Sequence, residues 1–201
     1  MSESTEITFK PTFFTKRQKI VLNPDFIEFY QSPEDRNPIK FSKLEIDGFR
    51  FGVRWVSGYQ FYIGRIYCID IKNTAGKIIK VRLKSMYKIN VKQLRKKYNV
   101  ITNTVFKFYF TDSVLQYLKA FNYKQPLSIL NVQFNQTGII VDNKHDIEWN
   151  NLDIKSYTRY IAISTKENSN IYKPYDYIID WNVWVLYNVI KQILKNKKLL
   201  N

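Results

Sequence analysis

Alternation of apolar and polar residues is strongest between positions 49 and 84. Over residues 49–55 (FRFGVRW) every second side chain is apolar, so one face of a strand is hydrophobic and the other carries two arginines. The stretch 59–71 is rich in aromatic and β-branched residues and predicts a second strand. After the turn sequence NTAG at 73–76, the alternation resumes over Lys77–Lys84. The pattern predicts three consecutive antiparallel strands.

The turn at 73–76 also predicts the register of the last two strands. A three-residue loop with Gly76 in the left-handed conformation would close a type I turn followed by a bulge. The pairs that this loop predicts are Asp70 with Lys80, Cys68 with Arg82, Ile66 with Lys84, Ile71 with Ile79, Ile69 with Val81 and Tyr67 with Leu83. In this register one face is apolar and the other mostly basic, so the two faces sort without conflict.

Apolar residues at steps of three and four predict the helices. The first stripe begins at Leu94 and predicts one long helix or two consecutive helices over about 91–121, with Asn90 as the N-cap. A second stripe predicts a helix over 177–194. Further strands are predicted within 20–30, 127–134, 138–142 and 157–164, and a loop is predicted over 166–174.

One eight-residue phrase occurs twice. Ile39–Ile46 (IKFSKLEI) and Ile147–Ile154 (IEWNNLDI) share the order Ile, charge, aromatic, two polar residues, Leu, acid, Ile. Strands and then an amphipathic helix follow each copy, which indicates an internal duplication with units at 1–125 and 126–201. The side chains predicted to point inward in the first copy are Ile39, Phe41 and Leu44.

A unit of antiparallel strands followed by one C-terminal helix resembles the pleckstrin-homology-like (PH-like) fold. Bacterial members often carry a phrase of the type Ile-x-Trp-x-x-Ile/Leu, which Ile147–Leu152 matches and Ile39–Leu44 matches with Phe in place of Trp. The whole chain resembles small, functionally uncharacterised bacterial proteins with tandem or duplicated PH-like domains. The resemblance implies an α+β fold of antiparallel β-rich units, each closed by a C-terminal amphipathic helix, with a shorter second unit. It implies no particular activity.

Composition narrows the class of protein. In 201 residues, 45% hydrophobic and 16% aromatic content suffices for a packed core. Residues 1–8 are polar and acidic, which predicts no secretory signal, and no apolar run reaches the roughly 18 residues of a spanning helix. With Cys68 as the single cysteine, we expect a cytoplasmic protein without disulfides or a transmembrane segment.

Positive charge is concentrated in one segment. The formal net charge is +15, and between Gly48 and Thr111 there are 14 Lys or Arg residues against one acid, Asp70. Such a surface attracts anions, although a solvated basic face that only keeps the protein soluble is an open alternative. The candidate anion-binding residues are Arg50, Arg54, Lys77, Lys80, Arg82, Lys84, Arg95 and Lys96.

The expected function is a non-catalytic binding or interaction module whose partner is a protein or an anionic ligand. The alternative is a nucleic-acid-binding protein that uses the basic segment 50–97, and a third possibility is an anionic membrane surface. Lipid-binding PH-like proteins use a loosely similar pattern of Lys and Arg near the first hairpin of a unit. Here the similar run begins late, at Lys77, so the resemblance does not imply a lipid role. Exposed Tyr59 or Tyr62 could stack on bases, but core or cross-strand roles are expected for them.

Residues suited to catalysis or metal binding are sparse. His145 is the only histidine, and although Asp142 and Asp146 are near it in sequence, we expect a histidine in a surface loop. No Cys, His, Asp or Glu spacing matches a metal site, and no glycine-rich phosphate loop is present in the sequence. We therefore expect neither an enzyme nor a cofactor.

Overall fold

The computed structural model describes residues 4–11, 15–167 and 172–199. Within these residues the protein is a mixed α+β structure whose sheets are all antiparallel. The chain forms two compact units, 1–110 and 111–201. The division predicted from the sequence follows the helical stretch, at 125/126, whereas the compact units divide inside that stretch.

The first unit contains two sheets and then a helix. Four short strands form a sheet in the order β1-β2-β3-β4, and three longer strands form a second sheet in the order β5-β6-β7. These strands and the helix that follows are β1 Thr5–Phe9, β2 Gln18–Asn23, β3 Phe26–Tyr30, β4 Ile39–Ser42, β5 Ile46–Ser57, β6 Tyr62–Asn73, β7 Ile78–Met86 and α1 Val91–Val105. After α1 the chain continues as a π-helical segment, Phe106–Phe110.

The second unit begins with a helix and then repeats the same order. Four strands form a sheet in the order β8-β9-β10-β11, and three form a sheet in the order β12-β13-β14. The elements are α2 Thr111–Asn122, β8 Leu127–Ile129, β9 Val132–Phe134, β10 Gly138–Val141, β11 His145–Glu148, β12 Leu152–Ser156, β13 Tyr160–Thr165, β14 Tyr172–Asp176 and α3 Val183–Asn196. Six of these strands are shorter than their counterparts in the first unit, and β11 equals β4 in length; both units have seven strands among the described residues.

The predicted β6–β7 hairpin is confirmed in detail. All six predicted cross-strand pairs are present, from Tyr67 opposite Leu83 to Ile71 opposite Ile79. Gly76 has φ +78°, the left-handed conformation that its place in the loop requires, and its N–H donates to the carbonyl of Asn73 over 2.9 Å. The alternation of side chains and the turn chemistry were together sufficient to fix this register.

Helix α1 covers the apolar face of the β5-β6-β7 sheet. The ring of Tyr98 lies 5.1 Å from that of Tyr67 and 6.4 Å from that of Phe51. Ile101 and Val105, one and two turns further along, are fully buried. Burying each such side chain stabilises the fold by about 1.5–3 kcal/mol. Because the helix lies on this face, the opposite face of the sheet is left for the charged side chains.

The core of the second unit is built around α3 and Trp149. Seven side chains of α3 are buried, among them Val185, Val189 and Ile193 of the predicted stripe, but the helix begins at Val183 and not at residue 177. Trp149 packs edge-on against Phe121, with 5.6 Å between ring centroids, and its indole N–H donates to the carbonyl of Asn135 over 3.1 Å. The indole is thus buried with its one polar group satisfied.

Both copies of the repeated phrase occupy the same place in the order of elements. The first runs from β4 into β5 and the second from β11 into β12, so each links the last strand of a four-stranded sheet to the first strand of a three-stranded sheet. The aromatic residues at the third position, Phe41 and Trp149, are both buried. The copies differ at the sixth position, where Leu44 is 93% exposed and Leu152 is 1% exposed.

The prediction that Leu44 points inward is therefore wrong, for a local reason. The Glu45 carboxylate accepts hydrogen bonds from both the backbone N–H and the hydroxyl of Ser42, each over 2.7 Å. These bonds accompany a 3₁₀ turn at Lys43–Glu45, in the middle of which Leu44 projects into solvent. The hydroxyl bond also lowers the pKa of Glu45.

Three local features were predicted only in part or not at all. Asn90 is the N-cap of α1 as predicted, and its carbonyl accepts a hydrogen bond from the N–H of Leu94 over 2.9 Å, but it has φ 56° and makes no side-chain cap bond. Strand β1 was not predicted. Of the predicted loop 166–174, residues 168–171 lie outside the described residues, and from Tyr172 onward the chain forms β14.

Candidate anion-binding surface

The outer face of the β5-β6-β7 sheet, opposite α1, carries most of the predicted basic residues. The register places residues 50, 70 and 80 in one cross-strand row, 52, 68 and 82 in the next, and 54, 66 and 84 in the third. Alternation along each strand turns all nine side-chain positions to the same side. We name as the basic face the five cations of these rows, which are Arg50, Arg54, Lys80, Arg82 and Lys84.

A buried carboxylate organises the centre of the basic face. Asp70 is only 3% exposed, and its Oδ2 accepts a hydrogen bond from Arg50 Nε over 3.0 Å. Arg82 Nη2 lies 2.6 Å from Asp70 Oδ1, an ion pair without the alignment of a hydrogen bond. Arg82 also donates through Nη1 to the carbonyls of Ile69 and Val81. Both arginines are thereby engaged by atoms of the sheet.

The other three cations of the basic face are differently placed. Arg54, Lys80 and Lys84 are exposed, and none of them has a carboxylate within salt-bridge distance in the described part of the chain. The face therefore presents three cations to solvent around an Arg50–Asp70–Arg82 cluster that is already paired internally. Those three are the ones that an incoming anion can contact without breaking an existing ion pair.

The remaining predicted residues lie elsewhere in the first unit. Lys77 is exposed in the β6–β7 turn, where its backbone N–H donates to Asn73 Oδ1 over 2.8 Å. Arg95 and Lys96 are exposed on α1, which covers the opposite face of the sheet. The structure thus brings together five of the eight predicted residues.

A cleft near the first turn of α1 adds cations that the sequence analysis did not single out. It has a volume of about 530 Å³ and lies between the end of β1, the end of β7 and the start of α1. Lys10, Arg17, Lys84 and Lys97 line it over an apolar floor that includes the buried Phe9. Lys97 is committed in part, since its Nζ donates to the carbonyl of Thr8 over 2.6 Å.

Exposed apolar side chains gather at the end of the sheet where this cleft lies. They stand on the β5–β6 hairpin and on the connection from β7 to α1. We name as the hydrophobic tip the six side chains Trp55, Tyr59, Phe61, Tyr62, Tyr87 and Ile89. Tyr59 is 96% exposed and Phe61 is 68% exposed, so the expected core or cross-strand role of Tyr59 is wrong. Alternation predicts the face of the sheet on which a residue lies. It does not show that the β5–β6 hairpin extends beyond the buried part of the sheet.

Hydrogen bonds hold the two parts of the tip together. The hairpin turn is closed by the Gly58 N–H, which donates to the carbonyl of Phe61 over 2.6 Å. The N–H of Tyr87 donates to the carbonyl of Ile63 over 2.7 Å, which fixes the β7–α1 connection beside the hairpin. The guanidinium of Arg65 lies 4.5 Å from the ring centroid of Trp55, a cation–π contact.

Two groups that could suggest reactivity have ordinary surroundings. Cys68 is buried beneath the basic face, and burial raises the pKa of its thiol although Arg82 and Arg54 act in the opposite direction. It is therefore a thiol, not a thiolate, at neutral pH. His145 is exposed, but it is the first residue of β11 and not a loop residue as expected. The neighbouring Asp142 forms an ion pair with Lys173 over 2.8 Å, and this contact lowers the pKa of the carboxyl.

The geometry offers a surface for binding, and comparison with known proteins identified no similar protein. Among the described residues no group of three or more His, Cys, Asp or Glu side chains is placed to hold a metal ion. In the same part of the chain, each helix is too short or too polar to cross a membrane. Comparisons with protein-family models, with curated proteins and with solved structures gave no match to this chain.

Proposed function

We propose that the protein is a non-catalytic binding module of two PH-like units, and that the basic face of the first unit binds a polyanionic partner. The observation that carries the proposal is the charge arrangement on the outer face of the β5-β6-β7 sheet. Five cations share this face with one carboxylate, and that carboxylate is already paired with Arg50 and Arg82. A surface of this kind attracts phosphate or carboxylate groups through long-range and contact electrostatics.

The PH-like assignment is supported by the order of elements in each unit. A four-stranded antiparallel sheet, a three-stranded antiparallel sheet and a C-terminal helix follow one another in both units. The repeated phrase lies at the junction of the two sheets each time, with a buried aromatic residue at its third position. These features favour duplication of one ancestral unit over two unrelated units.

The function is tested with inorganic polyphosphate as the probe, titrated calorimetrically into the full-length protein. The variant Arg54→Ala/Lys80→Ala/Lys84→Ala removes the three cations without touching the Asp70 cluster. We expect at least tenfold weaker binding and a shallower dependence on salt, because fewer counterions are released. The matched control is Lys119→Ala/Lys144→Ala/Lys195→Ala, which removes the same charge from exposed positions of the second unit and should change the Kd less than twofold.

Equal loss in both triple variants would show a non-specific effect of net charge and would overturn the proposal. Absence of polyphosphate binding at low salt would do the same. Duplex DNA serves as a second polyanionic probe. Tighter binding of duplex DNA than of polyphosphate, with a steep salt slope that the Arg54/Lys80/Lys84 variant reduces, would assign the basic face to nucleic acid.

A further inference from the structure

We infer that the polyanionic partner of the first unit is an anionic lipid bilayer, entered by the hydrophobic tip and held at its surface by the surrounding cations. This inference rests on the proposed function and specifies the kind of partner. It begins from an imbalance in the first unit, where large apolar side chains are exposed at one end of a sheet whose central apolar residues, such as Ile69, Val81 and Leu83, are fully buried.

The composition of the tip suits the boundary between headgroups and acyl chains. Trp55, Tyr59, Tyr62 and Tyr87 each combine an apolar ring with one polar group, the combination that is enriched at membrane interfaces. Phe61 and Ile89 have no polar side-chain atom at all. Exposed apolar patches rimmed by polar residues mark protein or membrane interaction sites, and transfer of these two side chains into an apolar environment is favourable.

Cations surround the tip on both sides of the sheet. Arg54 and Lys84 share a cross-strand row, and Arg54 lies three residues before Ser57 at the end of β5, about 10 Å along the strand. Arg65 lies against Trp55 on the other side, and Lys88 is exposed beside Tyr87. Anionic headgroups at the depth of these cations would leave the end of the β5–β6 hairpin, with Tyr59 and Phe61, at the level of the first acyl carbons.

The cleft contributes to the same surface. Lys84 belongs to the basic face and also lines the cleft, and Ile89 belongs to the tip and also lines it. Lys10 and Arg17 extend the positive charge beyond the edge of the sheet. The described residues of the segment 49–110 include one carboxylate, Asp70, which Arg50 and Arg82 engage. No acidic side chain of that segment therefore opposes the approach of an anionic bilayer.

A bilayer fits the tip better than single-stranded nucleic acid does. Base stacking needs aromatic rings with open faces in series. Arg65 occupies one face of Trp55, and the ring of Tyr62 is tilted by 47° to that of Trp55 at 5.5 Å, so these rings form no parallel platform. Ile89 offers no stacking surface, whereas aliphatic and aromatic side chains both partition into acyl chains.

The test is co-sedimentation of the full-length protein with vesicles of phosphatidylcholine alone or with 30% phosphatidylserine. We expect binding only to the phosphatidylserine vesicles. The variant Tyr59→Ser/Phe61→Ser should lose at least tenfold in partition coefficient, since two exposed apolar anchors are removed. The matched control, Leu44→Ser/Tyr123→Ser, replaces an equally exposed aliphatic and aromatic pair outside the tip and should bind like the wild type. Brominated acyl chains should quench tryptophan fluorescence, and Trp55→Phe should remove that quenching.

The outcomes separate this inference from the proposed function. If vesicle binding is lost in the Arg54/Lys80/Lys84 variant but unchanged in the tip variant, the basic face binds the surface and insertion of the tip is overturned. If polyphosphate binds and vesicles do not, the bilayer inference fails while the proposed function stands. If single-stranded DNA binds instead and the tip variant weakens it, the partner is nucleic acid. If no polyanion binds, both proposals fail.

Discussion

At the scale of single residues, Asp70 determines how many cations of the basic face are available. A carboxylate buried in this position would be unfavourable alone, and Arg50 and Arg82 compensate for it from two neighbouring strands. The same contacts commit both arginines to the sheet. From the sequence, all basic residues of these strands looked equivalent, because cross-strand pairing alone does not show which side chains bend toward a central acid.

Replacing Asp70 with Asn should destabilise the first unit. Breaking a buried ion pair by removing one partner leaves the other charge uncompensated, and we expect the free energy of unfolding to fall by about 3 kcal/mol. Urea denaturation followed by circular dichroism measures the change. Asp47→Asn is the control, since Asp47 meets Lys72 at 3.8 Å in an exposed pair and its removal should cost less than about 1 kcal/mol. Equal effects of the two substitutions would contradict the central role of Asp70.

Buried tyrosines of the second unit should make its stability fall at alkaline pH. Burial raises the pKa of Tyr177 to about 12, although its hydrogen bond with Ser156 acts in the opposite direction, and burial also raises the pKa of Tyr175. In the unfolded chain a tyrosine has a pKa of about 10. The stabilising contribution is therefore fully present below pH 10 and is lost as the pH rises toward 12, by up to about 1.4 kcal/mol per pH unit for each tyrosine.

Urea denaturation between pH 8 and pH 11 tests this dependence. In Tyr177→Phe, stability should decline less steeply above pH 10, because one buried ionisable group is absent, even if the variant is less stable at pH 8 without its bond to Ser156. Tyr123→Phe changes an exposed tyrosine and should leave the slope as in the wild type. A wild-type slope in Tyr177→Phe would show that other groups govern the alkaline loss.

At the scale of elements, the β6–β7 hairpin was predictable and the hydrophobic tip was not. The hairpin register follows from two local signals, the alternation of side chains and a loop that ends in Gly76. The tip depends on how far β5 and β6 extend beyond the residues that α1 covers, which is a property of the packed unit. The exposure of Tyr59 and Phe61 therefore has no signal in the local pattern. The outward position of Leu44 does have one, because Ser42 and Glu45 have the spacing of a capping box around it.

The β6–β7 hairpin depends on the backbone conformation of Gly76. Its φ is +78°, and a Cβ atom there would meet no heavy atom within 4 Å, so the cost of substitution is conformational and not steric. Gly76→Ala should lower the free energy of unfolding by about 1 kcal/mol, because an L-residue disfavours this region. Gly76→Asn should lower it less, since Asn tolerates the left-handed conformation. Urea denaturation of both variants gives the comparison, and equal losses would argue against conformational strain as the cause.

At the scale of the whole molecule, the two units share an order of elements but not their surface chemistry. The repeated phrase indicated a duplication from the sequence, and in both copies its aromatic position is buried at the junction between two sheets. The sixth residue is exposed in the first copy, where Ser42 and Glu45 flank a 3₁₀ turn, and buried in the second. Basic residues are concentrated in the first unit, so binding is expected to belong to that unit alone.

The proposed duplication makes a prediction about the two copies of the phrase. If both aromatics anchor the same junction, Phe41→Ala and Trp149→Ala should each lower the free energy of unfolding by about 3–5 kcal/mol, the cost of emptying a large core site. At the sixth position the copies should differ, with Leu152→Ala costing about 2–5 kcal/mol and Leu44→Ala, at an exposed site, less than about 0.5 kcal/mol. Urea denaturation of the four variants measures the pattern.

Similar losses at Phe41 and Trp149, together with dissimilar losses at the two leucines, are expected if both units share the junction but only the first unit has the turn after β4. A small effect at either aromatic would contradict a common architecture, because a residue with no equivalent role in the other unit has no reason to be buried at the same step of the chain.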